Sequence, residues 1–569
     1  MQPDATVVKS ALSRCDIDVS VQDVENLGLV CRVSAEDSRA AVGSLHDSDL
    51  AFDFLIDVFG IDTGGAVDVV YRLRSLSRDE EVTVKAAYPY GAALESVWDL
   101  FPAALLPERE LAELFGLGLN GHPNPRRLLT TDGCDPYLLK SNPVRTAEEV
   151  RERDGQLVDR EHLARTFGSL NAARDGEGQQ AKPSAYRAPA IMPAGVRRIP
   201  TAVDARQAEH LMLNMGPQHP STHGVLRLLL ELDGETVVAG EAVIGYLHRG
   251  IEKLAESRRY GALGTLMDRG DYVAGIHGEL AAALATEKLL GVEVPRRANY
   301  LRVLLGELNR IASHTVWYGP MGLDSGAMGL FLYVFRDREA LLDILEEITG
   351  ARMMFNYIRP GGVLRDITPT ADAKIRAFLD AFSVYVEENA EILMGNEIFQ
   401  ARTQGVGVLS RDAAVAFGLS GANLRASGLN FDVRRDRPYA AYSELDFDVP
   451  VAEQGDIYAR CAVRIEEMRQ SARIIRQCLD GMPEGEFTAK VAKVLRPPAG
   501  EAYAAVESPR GELGVHLVSD GSDAPYRFRY RPPALFALGA GESLLPGTLI
   551  ADAVVTMGSM DLILGEVDR

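Results

Sequence analysis

Two histidines stand four residues apart in GPQHPSTHG, the segment from Gly216 to Gly224. On a helix this spacing would place His219 and His223 on one face, as in a pair of metal ligands. Pro220 lies between them and opposes a helix, so we expect a tight loop that presents an imidazole. A histidine in a loop is more often a structural hydrogen-bond partner than a reactive group, and on this segment alone both interpretations stay open.

Tyr272 is a second candidate, in the segment DRGDYV at residues 268–273. Tyrosine has an ordinary pKa of about 10, so it is protonated at neutral pH and can donate a hydrogen bond or a proton. The alternative is a core aromatic ring whose hydroxyl bonds to the backbone. Spacing alone favours the core interpretation.

The cysteines argue against a metal centre in this chain. No two of them form a C-x-x-C pair, and disulfide scaffolds are typical of much shorter chains. We expect five reduced structural thiols and no iron–sulfur cluster held by this chain. No G-x-G-x-x-G motif follows a strand and opens a helix, so the sequence predicts no nicotinamide site. The five thiols are Cys15, Cys31, Cys134, Cys461 and Cys478.

Length and charge limit the class of protein. The chain has 569 residues, of which 46% are hydrophobic and 25% charged, enough for two or three domains. Its 60 Lys and Arg against 81 Asp and Glu give a net charge of −21, which opposes nucleic-acid binding. No signal-like N-terminus and no apolar run of about 18 residues is present, so we expect neither export nor a membrane span.

A linker divides the chain in the predicted organisation. Residues 171–200 hold four prolines and few large apolar residues, a composition typical of linkers. We therefore place two domains at 1–170 and 205–569, with 171–204 as the linker. Apolar runs separated by turn residues predict a small α+β fold for the first domain. Its strands are expected at 51–61, 67–73 and 82–87, and a helix near 105–116.

Long amphipathic helices dominate the second predicted domain. A hairpin comes first, because Asp233-Gly234 is a turn signal between two apolar strands. From Pro295 onward leucines recur on one helical face, and four other segments show similar periodicity, which predicts a helix bundle. Turn residues punctuate 486–569, where we expect strands packed at one end of the bundle. The hairpin strands are expected at 223–232 and 235–243, and the helices at 276–290, 295–317, 326–349, 370–395 and 455–480.

Six motifs, in order and at matching spacing, resemble the D subunit of respiratory complex I, the proton-pumping NADH:quinone oxidoreductase. They are GPQHPSTHGVLRL at 216–228, GYLHRGIEKLAE at 245–256, DRGDYV at 268–273, LDSGAM at 323–328, YIRPGG at 357–362 and GEVDR at 565–569. The N-terminal part resembles the C subunit through ERELAELFG at 108–116 and GHPNPRRLL at 121–129, although Ala112 replaces an expected tyrosine. The resemblance implies a fusion of the C and D subunits with an α+β fold.

The D-subunit family is related to the large subunit of NiFe hydrogenases, which implies a helix-bundle domain with flanking antiparallel strands. Those enzymes hold their metal with two C-x-x-C pairs. Aligned on the motifs, the four thiolate positions are Asp271, Ala274, Ile563 and Glu566. Because a nickel–iron centre needs thiolate ligands, hydrogenase chemistry is excluded. The resemblance implies that the vacated cavity is a quinone site without a metal.

The resemblance assigns the quinone headgroup to His223 and Tyr272, two donors for its two carbonyl oxygens. Asp324 matches the acidic residue that the family places behind this histidine, where a carboxylate fixes the tautomer and raises the imidazole pKa. Arg249 and Met354 match positions beside the terminal iron–sulfur cluster of the B-type partner. Met354 stands where many relatives carry a histidine. This difference predicts a cluster potential nearly independent of pH and favours menaquinone as the substrate.

These implications predict a peripheral subunit on the cytoplasmic side of a bacterial cell membrane, active only within its complex. The expected partners are the B-type cluster subunit and the membrane subunit of the quinone channel, with no cofactor bound by this chain alone. Two alternatives stay open. One is the same role with ferredoxin or a deazaflavin as electron donor. The other is a hydrogenase-like scaffold without a substrate site, which would not require His223 and Tyr272 together.

Overall fold

The computed structural model describes residues 3–13, 17–131, 133–142, 144, 210–218 and 224–569. The part before the predicted linker is rich in strands and the part after it is mainly helical, which confirms the predicted α+β class. The linker itself, predicted at 171–204, lies outside the described residues.

A five-stranded mixed sheet forms the centre of the N-terminal part. Its elements are α1 (Ala5–Ser13), β1 (Ser20–Val24), β2 (Gly28–Val33), α2 (Ser38–Asp47), β3 (Phe54–Asp62), β4 (Ala66–Ser75), β5 (Glu80–Pro89), β6 (Ala93–Glu95), a 3₁₀ turn (Pro102–Ala104), α3 (Leu105–Phe115) and β7 (Gly118–Asn120). The strand order is β1-β2-β5-β4-β3, with β2 and β5 parallel and the other neighbours antiparallel. The three predicted strands and the predicted helix are confirmed as β3, β4, β5 and α3.

The second part begins with a three-stranded sheet and continues as a helix bundle. The sheet has the order β10-β9-β8, and Gly234 at its predicted hairpin turn has φ +60°. The elements are β8 (Leu211–Met215), β9 (Arg227–Asp233), β10 (Thr236–Val243), α4 (Ile251–Ala255), α5 (Gly264–Met267), α6 (Gly275–Leu290), α7 (Arg296–Asp324), α8 (Met328–Thr349), β11 (Ile358–Arg359), β12 (Gly362–Val363), α9 (Pro369–Met394), α10 (Glu397–Thr403), α11 (Arg411–Ala416), α12 (Gly421–Arg425), α13 (Val433–Asp436) and α14 (Ile457–Asp480).

The C-terminal region differs from the prediction. It holds β13 (Gly500–Ser508), β14 (Gly511–Ser519), β15 (Arg527–Arg531), α15 (Pro533–Ser543), α16 (Ile550–Ser559) and α17 (Leu564–Asp568). The prediction of strands is correct for β13 to β15 and wrong after them, where three helices follow. All eleven residues of α15 are buried, and a helix that is buried on every side shows no amphipathic period. None of the helices in the described ranges is both long and apolar enough to cross a membrane.

Arginines of β15 join the two parts of the chain. Arg527, Arg529 and Arg531 alternate with Phe528 and Tyr530, so the three arginines share one face of the strand. Arg527 and Arg531 donate to carbonyl oxygens of β3 at 2.8 and 2.9 Å, which satisfies an edge of the N-terminal sheet. Arg529 forms a bidentate bond of 2.7 and 2.8 Å to an aspartate of β3. The interface is therefore held by buried charged groups as well as by apolar packing.

Candidate active site

The loop that contains His223 joins β8 to β9. His223 lies outside the described residues, as do residues 219–222, but both ends of the loop are described. Gly216 has φ +92°, and a Cβ there would come 2.1 Å from the carbonyl oxygen of the residue before β9, so only glycine fits. At the other end, a Cβ on Gly224 would lie 3.6 Å from Leu564. The chain on the C-terminal side of His223 therefore lies against α17.

Tyr272 lies in the turn between α5 and α6 and is half-buried. Its ring packs on Gly565 of α17, where an added Cβ would come 3.0 Å from the ring. Burial raises the pKa of Tyr272, Arg510 opposes this shift and Asp271 adds to it, so the hydroxyl is protonated at neutral pH. The Tyr272 ring and the end of the histidine loop thus contact successive residues of one short helix.

Arg510 connects the charged groups behind Tyr272. Its guanidinium donates to Asp271 at 2.6 Å and to Ser313 at 3.1 Å, and it lies 3.4 Å from Asp561. Asp271 also accepts from two backbone N–H groups just before α6. Burial raises the pKa of Asp271 and Arg510 opposes that shift. Because the short bond to Arg510 favours the charged form, we treat Asp271 as ionised.

Glu566 is the neutral acid of this cluster. Both of its carboxyl oxygens are buried, and neither has a hydrogen-bond partner among the described residues. Burial holds the pKa of Glu566 well above its usual range, and Asp271 raises it further. A buried carboxylate without hydrogen bonds would be strongly unfavourable, so burial favours the protonated form of Glu566. Asp271 and Glu566 are two of the four positions aligned with hydrogenase thiolates, and the structure brings them into one cluster.

Asp324 lies at the C-terminal end of α7, beyond the part of that helix that contacts this cluster. It is the last residue of that helix, and its carbonyl oxygen accepts from Arg402 at 2.9 Å. Ser313, which contacts Arg510, lies eleven residues earlier, so Asp324 is on the order of 16 Å further along the helix axis. The part of α7 that contacts the cluster and the residue Asp324 are therefore separate along the helix. Its expected contact with His223 stays a prediction.

Comparisons with known proteins match both parts of the chain. Residues 324–498 and 490–569 match the family described as respiratory-chain NADH dehydrogenase, 49 Kd subunit, and residues 31–154 match the 30 Kd subunit. A D subunit of the NADH-quinone oxidoreductase of Solibacter usitatus is 50% identical over 359 residues, 63% of this chain and 97% of that protein. The D subunits of the same enzyme from Desulforamulus reducens and Carboxydothermus hydrogenoformans are each 48% identical over 362 residues, 64% of this chain and 99% of theirs.

The chain belongs to the 49 Kd subunit family of the respiratory-chain NADH dehydrogenase. It carries a domain of the 30 Kd family in the same polypeptide, so the predicted fusion of C and D subunits is confirmed.

In this complex I subunit, Met354 lies in a loop that one buried carboxylate fixes. The loop runs between α8 and β11, and Met354 has φ +56°, in the left-handed region. Glu279 of α6 accepts from the N–H groups of Asn356, Tyr357 and Ile358 at 2.6, 2.7 and 2.7 Å. These three bonds hold the backbone just after Met354 in place. Burial raises the pKa of Glu279 to about 8, and the N–H groups oppose this shift.

Arg249 lies on a neighbouring segment, just before α4, and its side chain is exposed. Partial burial lowers the pKa of Arg249, and Arg269 lowers it further. Asp268 is close enough to oppose this shift. Asp268 is itself fully buried, pairs with Arg269 at 2.8 Å and raises the pKa of Glu279. The segments that carry Arg249 and Met354 are thus linked through two buried acids.

Sequence analysis did not single out Arg510, Asp561 or Glu279. Arg510 stands in the turn between β13 and β14, where Gly511 with φ +128° signals a turn but nothing marks the arginine as buried. Charged residues are usually exposed, so without partners in view each of these side chains resembles a surface residue. In the described part of the chain, no three His, Cys, Asp or Glu side chains are grouped to hold a metal ion.

Proposed function

We propose that this chain forms the quinone-reduction site of an NADH-quinone oxidoreductase, with Tyr272 and His223 as hydrogen-bond donors to the two quinone oxygens. One observation carries the proposal. Tyr272 packs on Gly565, and the residue after His223 lies against Leu564, so both donors belong to chain segments that contact one helix. Reduction to the quinol takes up two electrons and two protons. The electrons come from an iron–sulfur cluster in a partner chain, and the protons pass through these two side chains.

Tyr272 is suited to donate the first of these protons. Its raised pKa keeps the hydroxyl protonated until a reduced quinone oxygen becomes basic enough to accept the proton. Arg510 lowers the pKa of Tyr272, which means that its positive charge stabilises the phenolate left behind. Glu566 holds a proton in the same buried cluster and can restore the tyrosine. We infer that Asp271 and Arg510 set the electrostatic environment of this transfer.

The other assigned residues serve positioning and partner contacts in this proposal. Asp324 orients His223, and Arg249 and Met354 face the cluster of a B-type partner subunit. The second expected partner is the membrane subunit that forms the quinone channel, which places this chain peripherally on the cytoplasmic side of a bacterial membrane. We favour menaquinone as the substrate. The proposal also includes the predicted organisation of the chain, with domains at 1–170 and 205–569 and a linker at 171–204.

The electron donor distinguishes this proposal from a related complex driven by ferredoxin or a deazaflavin. The similar proteins are named NADH-quinone oxidoreductases, which favours NADH. Measuring the activity of the purified complex with NADH, with ferredoxin and with a deazaflavin distinguishes the two alternatives. A scaffold without a substrate site is the remaining alternative, and it predicts that the Tyr272 hydroxyl is dispensable.

Tyr272→Phe tests the site directly. Removing one hydroxyl should lower quinone reductase activity of the assembled complex by at least about tenfold, the low end of general acid effects, while reduction of a hydrophilic electron acceptor stays intact. Tyr458→Phe is the matched control, because Tyr458 is also half-buried and its hydroxyl lies 3.5 Å from a backbone oxygen elsewhere in the bundle. Full quinone turnover in a correctly assembled Tyr272→Phe complex would show that the site is misplaced.

A further inference from the structure

A cleft of about 680 Å³ opens between the N-terminal sheet and the helical part of the chain. Strands β4 and β5 form one side, and α6, β13 and the residues after α13 form the other. Lys288 of α6 lies in the cleft, thirteen residues from Gly275, where that helix begins next to Tyr272. At the rise of an α-helix the cleft is about 20 Å from the proposed quinone site. It is therefore a separate feature of the molecule.

Positive charge exceeds negative charge in the lining of this cleft. Four cationic side chains and two carboxylates line the cleft, and a third carboxylate just outside the lining pairs with one of the arginines. One carboxylate, Glu81, forms ion pairs with three arginines at 2.6, 2.7 and 2.9 Å. Burial alone would raise the pKa of Glu81, but the three arginines lower it. The cationic side chains are Arg72, Arg74, Lys288 and Arg437, and the carboxylates are Glu81 and Glu512.

Lys288 is the cation of the cleft that lacks an anionic partner. Its ammonium donates to the backbone oxygen of Tyr503 at 2.8 Å, and it forms no ion pair with any carboxylate of the described residues. Partial desolvation lowers the pKa of Lys288, and Arg72 and Arg437 lower it further. Arg437, by contrast, is also paired at 3.0 Å with Asp79, which is half-buried and lies outside the lining. The uncompensated charge is thus centred on Lys288.

Most of the remaining lining is apolar, with Asn26 as a polar exception. The larger apolar and aromatic side chains include Leu27, Leu284, Val433, Pro438 and Tyr439. The volume of the cleft is within the range of about 300–1,000 Å³ that small-molecule sites occupy, and such sites combine apolar walls with a few polar groups. A phosphate monoester is close to a dianion at neutral pH, and Lys288 offers it a cation that pairs with no carboxylate of the described residues. Lysine and arginine are also the side chains that bind phosphate most often.

We propose that this cleft binds a small phosphate ester, whose phosphate contacts Lys288 and whose apolar or aromatic body lies against Leu284 and Tyr439. The phosphate would accept from the Lys288 ammonium and lie next to the Arg437 guanidinium. This inference does not depend on the proposed quinone chemistry.

Isothermal titration calorimetry of the full-length chain tests the proposal, with AMP as the probe, inorganic phosphate as the second arm and adenosine as the uncharged control. We expect saturable 1:1 binding of AMP, and binding of adenosine weaker by about tenfold or more. Lys288→Met removes the ammonium and keeps the stem, so it should weaken AMP binding by about tenfold or more, the loss of one charge-assisted hydrogen bond. Lys493→Met, at an exposed lysine outside the lining, should leave binding unchanged.

The variants also define the results that overturn the proposal. Lys288 is exposed within the cleft, so its loss should not impair folding, and circular dichroism checks this. Arg437→Gln supplies an independent second variant that should also weaken AMP binding. Absence of saturable binding by both AMP and phosphate at millimolar concentration overturns the proposal, and so does AMP binding that is unaffected by both substitutions. Inorganic phosphate that binds as tightly as AMP would overturn the role assigned to the apolar wall.

Discussion

Glu566→Gln separates a proton store from a structural acid. Glutamine has nearly the volume of glutamic acid and no charge, so it reproduces the neutral form that burial favours for Glu566. Its amide adds donors in a site where the carboxyl oxygens have no hydrogen-bond partner within the described residues. We therefore expect the free energy of unfolding to fall by less than about 2 kcal/mol.

Asp271→Asn provides the contrast, because that carboxylate is charged and paired with Arg510 at 2.6 Å. Two unit charges at this distance attract by about 6 kcal/mol at an effective dielectric constant of about 20. Desolvation offsets part of that attraction, and removal of one partner from a buried pair typically costs about 3–5 kcal/mol. Asp271→Asn should therefore destabilise the chain clearly more than Glu566→Gln does, as measured by urea unfolding of the purified chain.

Activity and its pH profile complete the test of Glu566. In the assembled complex, Glu566→Gln should lower quinone reductase activity by at least about tenfold and leave reduction of a hydrophilic acceptor intact. The proton of Glu566 is present below its raised pKa and lost above it, so the alkaline decline that this group contributes in the wild type should flatten in the variant. Equal destabilisation by the two substitutions would mean that Glu566 is ionised in the native state. Unchanged quinone turnover would remove it from the proton path.

Three further predictions follow from the buried charges and the loop after α8. Arg529→Met should lower the free energy of unfolding by about 3–5 kcal/mol, because it leaves the buried Asp57 without its cation. Arg473→Met at an exposed pair should change the free energy of unfolding by less than about 1 kcal/mol. Equal effects of the two substitutions in urea unfolding would contradict this prediction. Burial raises the pKa of Glu108 to about 7, so the stability linked to its protonation is present below about pH 4.5 and lost as pH rises through 7. Between pH 4.5 and 8, the free energy of unfolding of Glu108→Gln should therefore rise by up to about 3 kcal/mol relative to that of the wild type. A constant difference between the two proteins across this range would refute the raised pKa. Met354→His should give the partner's cluster a reduction potential that falls by up to about 59 mV per pH unit, whereas the potential in the wild type should stay nearly constant. Redox titrations followed by EPR at two pH values measure this dependence. A steep dependence on pH in the wild type would contradict the assignment of Met354.

Local signals in the sequence were sufficient for most of the bundle. Period-3.6 hydrophobic patterns predicted the five long helices, and α7 differs mainly in extending to Asp324, beyond the predicted 317. The Asp233-Gly234 signal predicted the hairpin of β9 and β10, because a two-residue turn with a glycine at positive φ fixes the pairing locally. The turn itself is Gly234-Glu235, one residue later than predicted, since Asp233 still pairs with Thr236. Strand β8 and helix α15 were missed. The first is short, and the second is buried on every side and carries no amphipathic pattern.

The sequence by itself determined the family, because six ordered motifs survive in the chain, and it determined which side chains carry titratable groups. Only the tertiary structure decided which of these groups are buried and which lie close together. Arg510 and Asp271 are 239 residues apart and bond at 2.6 Å, and Glu566 approaches the same site from the C-terminal helix. The pKa of each group depends on burial and on charges supplied by distant segments. A pattern of neighbouring residues contains neither quantity, so the proton-holding cluster behind Tyr272 exists only in the folded chain.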